Sequence, residues 1–245
     1  MPRAHRIFCQ GVVWHITHRC HQKSFLLKFA RDRKRWRHWL FVAQRRFDLS
    51  VLNYIATSNH VHLLILDQGN GEIPAAMQLI AGRIAQEFNR RKHRHGAFWE
   101  DRYHATAVQT DQHLAQCMTY IDLNMVRAAA VTVPGEWDVS GYSEIQCPWK
   151  RKGVIDFPTL CQLLNARSMQ HLAQQRMQSV QAAMRSTRRE PAWTEAVAVG
   201  DEAYLRALKS AIGVRALHRR LSNHGELKML QEPGGSYIAE ATVKP

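Results

Sequence analysis

What the chain lacks already narrows its class. Its 245 residues hold only five cysteines, Cys9, Cys20, Cys117, Cys147 and Cys161. Their number is odd, their spacing is scattered and no CxxC pair occurs, which excludes a disulfide framework and a zinc ribbon and points to a reducing cytoplasm. No apolar run reaches the length that crosses a bilayer, so no membrane partner is expected. Met1-Pro2-Arg3-Ala4-His5-Arg6 has no apolar core behind it, so no signal peptide is expected. Internal repeats are missing too. Acidic residues are scarce, with 20 Asp and Glu against 34 Lys and Arg, a formal charge of +14. Such a balance attracts polyanions and suits phosphate neutralisation, which favours nucleic acid over acidic membranes or ribosomes as the partner.

What is present supports a real core, since 45% of the residues are hydrophobic. Residues 11–17 are β-branched and aromatic and predict a strand. Over 28–47, Phe29, Trp36, Trp39, Leu40 and Ala43 recur near helical spacing among arginines, predicting an amphipathic helix with a basic outer face. Two apolar runs, 49–57 and 60–66, flank the turn-forming Ser58-Asn59 and should pair as a hairpin. A second helix is predicted over 72–91, striped by Ile73, Ala76, Met77, Ile80, Ile84 and Phe88 and broken by Gly96. Residues 98–109 predict a further strand with a bent entry at Trp99-Glu100-Asp101. A helix over 111–126 follows, with Thr110 or Asp111 placed to cap it.

This order predicts an α+β fold of the split βαβ, ferredoxin-like kind, an antiparallel sheet with helices on one face. Pro134-Gly135 and 147–153 read as loop or linker, which sets an expected boundary near residue 150. Residues 1–150 would form the catalytic domain. Residues 151–245 would form a helical C-terminal extension that could bind DNA, with helices over 158–185 and 201–221 and a Pro/Gly-bearing tail after Glu232.

One motif carries chemistry. His60-Val61-His62 heads the second hairpin strand, and side chains two apart on a strand share a face, so both imidazoles could hold one divalent ion. An HxH triplet alone is weak in a chain with 14 histidines, and His93-Arg94-His95 is another that reads as a solvated, phosphate-facing segment. The predicted helix over 111–126 adds Tyr120 and Asn124, four apart and therefore on one helix face. A phenol and a carboxamide brought beside a histidine-held metal form a coherent site for phosphoryl transfer. Taken alone, Tyr120 reads as a half-buried helix tyrosine rather than a nucleophile.

These residues resemble a known family. Thr57-Ser58-Asn59-His60-Val61-His62-Leu63-Leu64 resembles the HUH signature of the single-tyrosine transposases of small bacterial insertion sequences. Gly96-Ala97-Phe98-Trp99-Glu100-Asp101-Arg102-Tyr103 and Tyr120-Ile121-Asp122-Leu123-Asn124-Met125-Val126-Arg127-Ala128 are similar to its REP-associated tyrosine transposase branch. Trp137 with Gly141-Tyr142 matches that branch's closing segment, and 11–17 resembles its first strand. The match runs in order over roughly residues 8–145. It implies that His60 and His62 bind a divalent metal, Mg2+ or Mn2+, with Asn124 as third ligand and Tyr120 as nucleophile. It also implies single-stranded or hairpin DNA as substrate, a 5′-phosphotyrosine intermediate and a free 3′-hydroxyl. Met125 stands where the family usually has proline, which leaves the catalytic helix longer or shifts Asn124.

Candidate DNA contacts are Arg90, Arg91, Lys92 and Arg94, with Trp99, Arg102 and Tyr103 placed to stack on unpaired bases. Trp99 reads equally as core. A second cluster, Arg31, Arg33, Lys34, Arg35, Arg37, Arg45 and Arg46, reads equally as a solvated helix face, and further basic groups lie at 185–189 and 218–220. The expected setting is the cytoplasm, in association with the nucleoid, and monomer and homodimer both stay open. Two other readings stay open as well: a catalytically silent DNA-binding protein that keeps the fold, and a metal-dependent nucleic-acid hydrolase in which Tyr120 is structural.

Overall fold

Alternating apolar side chains build a sheet whose centre is the first strand. The computed structural model describes residues 8–148, 153–185, 190–216, 218–225 and 227–232. β1 (Val13–Arg19) pairs antiparallel with β3 (His60–Leu66) on one side and β4 (His104–Val108) on the other, and β2 (Ser50–Ala56) completes the hairpin with β3. The order β2-β3-β1-β4 is that of the split βαβ plan.

α1 (Ala30–Phe47) and α2 (Glu72–Lys92) pack on one face of this sheet. The expected stripe is buried on α2 through Ile73, Ala76, Met77, Ile80 and Ile84, with Phe88 half-buried, while Trp36, Leu40 and Ala43 are buried on α1. Trp36 reaches Tyr54 of β2 from this side. The opposite face carries α3 (Gln112–Asp122), since Asn53, next to Tyr54 on the strand, donates to the Asp122 carboxylate and the Met118 carbonyl. Helices therefore cover both faces rather than one.

Several boundaries differ from expectation for identifiable reasons. Residues 98–103 bend away irregularly, touching Cys20 through a single bridge at Trp99, so β4 is shorter than 98–109. Asp111 occupies the N-cap of α3 at φ 72° without a side-chain cap bond. The helix expected over 111–126 breaks at Leu123 (φ −82°, ψ 2°) and resumes as α4 (Asn124–Arg127). A short α5 (Gly141–Gln146) follows. A Cβ on Gly141 would sit 2.2 Å from Asn53 Oδ1, so only glycine allows this approach to β2.

The extension is not wholly helical. The helix expected over 158–185 divides into α6 (Phe157–Leu163) and α7 (Met169–Ala183) where Asn165 turns left-handed at φ 52° and Ser168 caps α7. A single turn, α8 (Ala192–Glu195), leads to β5 (Ala198–Val199), which pairs parallel with β4. α9 (Glu202–Ile212) stops at Gly213, and instead of a continuing helix the strands β6 (Arg220–His224) and β7 (Leu227–Gln231) pair antiparallel. The polar edge strand β6 has no hydrophobic alternation to announce it. The single sheet thus runs β2-β3-β1-β4-β5-β7-β6 and is mostly antiparallel. Among the described residues no helix is long and apolar enough to cross a membrane. Residues 186–189 and the tail from 233 lie outside the described residues.

Candidate active site

Period-two geometry on β1 and β3 assembles a polar row on the α3 face of an otherwise apolar sheet. Thr17 stands opposite His62 in register, and His15 lies two residues back on the same face of β1. His62 is 1% exposed and His15 fully buried. His62 Nδ1 lies 2.9 Å from His15 Nε2 and 3.3 Å from Thr17 Oγ1. The other nitrogen of His15 lies 2.8 Å from the carbonyl of Trp193, in α8.

His60 sits at the strand head, half-buried, its ring centroid 4.8 Å from that of His62. Its Nδ1 is 2.7 Å from Asn59 Oδ1 and 3.0 Å from Thr57 Oγ1. The Asn59 amide is oriented by its own N–H group, which donates to the Lys23 carbonyl. Thr57 also accepts the His60 backbone N–H, closing the hairpin turn.

α3 brings Tyr120 to this row, with its ring centroid 5.9 Å from His62 and 6.2 Å from His15. Beyond the break at Leu123, the Asn124 amide N–H donates to His62 Nε2 at 2.9 Å. Met125 is buried in the following turn, and the break rather than a longer helix sets the position of Asn124. Arg127 donates to the Tyr120 carbonyl and lays its guanidinium 4.4 Å over the Tyr120 ring. Beside Tyr120 opens a cleft of about 460 Å3 between α3, α7 and α8, lined by Thr119, Tyr120, Arg127, Ser179, Glu190 and Trp193 among others. That size falls within the about 300–1,000 Å3 of ordinary ligand pockets.

Burial sets the electrostatics. It pushes His15 down to about 4, even though the Trp193 carbonyl favours the protonated ring. His62 lies well below the usual histidine range, first through burial and then through the positive fields of His60, His15, Arg127 and Arg19. Both rings are therefore neutral near pH 7 and each keeps one lone pair. Among the described residues no three His, Cys, Asp or Glu side chains group as a metal cluster.

Trp99 and Tyr103 are not part of this row. Trp99 stacks on His18 at 4.1 Å, donates its indole N–H to the Ala81 carbonyl beneath α2, and is half-buried. Tyr103 meets the same His18 edge-on at 6.2 Å. His18 alternates with Thr17 and so points to the opposite sheet face from His62. Arg91 pairs with Asp32 across the two helices, and Arg94 closes the turn after α2 on Asn89 and the Ala97 carbonyl. Arg90 and Arg102 are exposed, while Lys92 is exposed above Phe29. In the other basic cluster, Arg35 pairs with Glu87, Arg37 with Glu144, and Arg33 lies over Trp137.

The family model for IS200-like transposases matches residues 9–124, ending on Asn124 itself. Through this segment, a little under half of its length, the chain is similar to the IS200-like transposases. Among solved structures, a REP-associated tyrosine transposase bound to a REP hairpin aligns with a TM-score of 0.50 at 17% identity, covering 63% of this chain and 90% of that one. At that identity the likeness speaks for the shared fold. A Deinococcus radiodurans R1 protein provisionally assigned as a transposase aligns with a TM-score of 0.35 at 16% identity, over 49% of this chain and 95% of its own. No curated protein matches the chain significantly.

Sequence reasoning about this segment passed over His15, Thr17, Asn59 and Arg127. One local signal was available for the first two: polar residues at period two, alternating with Trp14, Ile16 and His18 in a buried strand. Asn59 read only as a turn residue. Nothing local tied the Trp193 carbonyl to His15, 178 residues away.

Proposed function

We propose that this protein is an IS200-like transposase that cuts and rejoins single-stranded DNA at a hairpin, with Tyr120 as the nucleophile. The observation that carries this reading is the placement of Tyr120 beside His62 while Asn124 meets the same ring at Nε2. The Tyr120 oxygen attacks phosphorus in line and gives up its proton. The bond to the 3′-oxygen breaks, leaving a 3′-hydroxyl and a 5′-phosphotyrosine, and reversal by the same or another 3′-hydroxyl rejoins the strand. The hairpin bound by the REP-associated fold neighbour supports the choice of substrate.

The residues present fit a divalent ion. His60 and His62 are two imidazoles on one strand face, and Asn124 adds an amide whose oxygen becomes available when the group turns over. Imidazole and carboxamide donors, with phosphate and water completing the shell, suit Mg2+ or Mn2+. When bound, the ion would withdraw charge from the scissile phosphate and orient it. Arg127 holds a positive charge over the nucleophile's ring. The cleft beside Tyr120 offers room for an unpaired base, and exposed Arg90 and Lys92 offer phosphate contacts away from the row.

The test is incubation of the full chain with end-labelled hairpin DNA and Mg2+ or Mn2+, followed by a denaturing gel. The expected result is a covalent protein–DNA band that is absent in Tyr120→Phe. Cleavage by Tyr120→Phe without an adduct would instead identify a hydrolase. Binding without cleavage by the unaltered chain would identify a silent DNA-binding protein.

A further inference from the structure

The two histidines of the pair are oriented by different devices. For His60 the device is local. Its Nδ1 faces the oxygen of an amide whose nitrogen is committed to the Lys23 carbonyl, so Nδ1 carries the ring proton and the lone pair falls on Nε2. For His62 the device spans the fold. The Trp193 carbonyl can only accept, so the His15 nitrogen 2.8 Å away must donate. A neutral ring that donates from Nδ1 has a bare Nε2. His62 Nδ1, 2.9 Å from that bare nitrogen, must then carry its own proton, which the Thr17 oxygen at 3.3 Å can share. The lone pair of His62 is left on Nε2, where the Asn124 N–H points at it. The reverse order would set two acceptors against each other at His15 and Trp193, and two N–H groups against each other at Asn124 and His62, all in buried surroundings where an unmatched polar group costs about 1–3 kcal/mol.

We infer that His15 is a positioning residue for His62: anchored on the Trp193 carbonyl of the extension, it holds His62 in the Nδ1–H tautomer and keeps Nε2 available for the metal. The inference rests on the reading of His62 as a ligand. It makes the extension part of the site, because β1 supplies the relay and α8 supplies its terminal acceptor. Outer-sphere groups of this kind fix ring orientation, and their loss typically weakens metal binding 10- to 100-fold.

The experiment uses the full chain labelled with 15N-histidine and free of metal. A long-range 1H–15N correlation reads which ring nitrogen is protonated, and a His62→Gln spectrum assigns the resonance. The expected result is Nδ1–H on His62. In His15→Phe, which fills the same space without a ring nitrogen, His62 Nδ1–H loses its nearest acceptor, so an Nε2–H fraction should appear beside the Nδ1–H form, and Mn2+ affinity measured by electron paramagnetic resonance should fall roughly 10- to 100-fold. His15→Gln, whose oxygen can accept from His62 while its amide donates to Trp193, should restore both. If His15→Phe keeps the wild-type tautomer and Mn2+ affinity, His15 only fills space and the inference is overturned. If His15→Phe does not fold, the wild-type spectrum still decides, since a bare Nδ1 on His62 overturns it as well. Mn2+ binding by the wild type no tighter than by His62→Ala would remove the metal reading itself, separately from the tautomer.

Discussion

The two faces of the sheet are held by different physics. Beneath α1 and α2 most contacts are apolar, with Leu40, Ala43, Ile73, Ile80, Ile16 and Leu63 each at most 1% exposed, beside one polar group of Arg37, Tyr54 and Glu144. On the α3 face, polar side chains interlock. His15 bridges His62 and Trp193, and Arg176 of α7 pairs with Asp122 while donating to Thr119 and the Ala115 carbonyl, with Asn53 on the other carboxylate oxygen. Both partners of that ion pair are buried, at 1% and 0% side-chain exposure. An apolar face tolerates loss of one contact by partial collapse. A polar face does not, because each deletion strands the group left behind.

The largest expected effect follows from that asymmetry. Arg176→Met leaves the Asp122 carboxylate buried without its cation, and burial already pushes this carboxyl up against the opposing pull of Arg176. Stability in urea should fall by about 3–5 kcal/mol, and Asp122→Asn added to it should recover much of the loss. On the other face, Leu40→Ala should cost about 2–5 kcal/mol, with no recovery from any polar change and with normal adduct formation per folded molecule. A cost below about 1 kcal/mol for Arg176→Met would erase the contrast.

The same contrast explains what could be read in advance. The stripe Ile73, Ala76, Met77, Ile80, Ile84 announced α2 because its periodicity is local, and Ser58-Asn59 announced the hairpin for the same reason. His60 and His62 were legible through strand alternation, and Tyr120 with Asn124 through their four-residue spacing, although the backbone between them breaks at Leu123. The relay through His15, the ion pair of Arg176 and the joining of β5 to β4 depend on partners 54 to 178 residues apart, which no local pattern encodes. Arg176 in particular, 1% exposed in the fold, has no local pattern in the sequence that marks it as buried.

A smaller effect separates the faces by pH. His15 titrates at about 4 when folded against an ordinary 6.5, so the unfolded chain takes up a proton that the folded chain refuses. Its contribution is fully present above pH 6.5 and is lost progressively as pH falls toward 4, up to on the order of 3 kcal/mol, and His62 acts in the same direction. Urea midpoints of the metal-free chain from pH 7.5 to 4.5 should show this decline, and His15→Phe should flatten it. An equally steep decline in His15→Phe would assign the acid sensitivity elsewhere.

The smallest effect concerns the neighbour of Tyr120, the nucleophile we propose. Arg127 touches Tyr120 twice, through the ring face at 4.4 Å and through the backbone carbonyl beside the break at Leu123. A cation over an aromatic ring contributes about 0.5–2 kcal/mol, so Arg127→Met should slow adduct formation roughly 2- to 30-fold. Hairpin affinity should change little if the guanidinium acts on the phenol and not on the DNA backbone. Arg127→Lys keeps a charge but not the planar fork that reaches ring and carbonyl together, so it should recover only part of the rate. Full recovery by lysine would reduce the role to simple charge. A loss of affinity matching the loss of rate would move Arg127 from the polar face's internal wiring to its DNA-contacting surface.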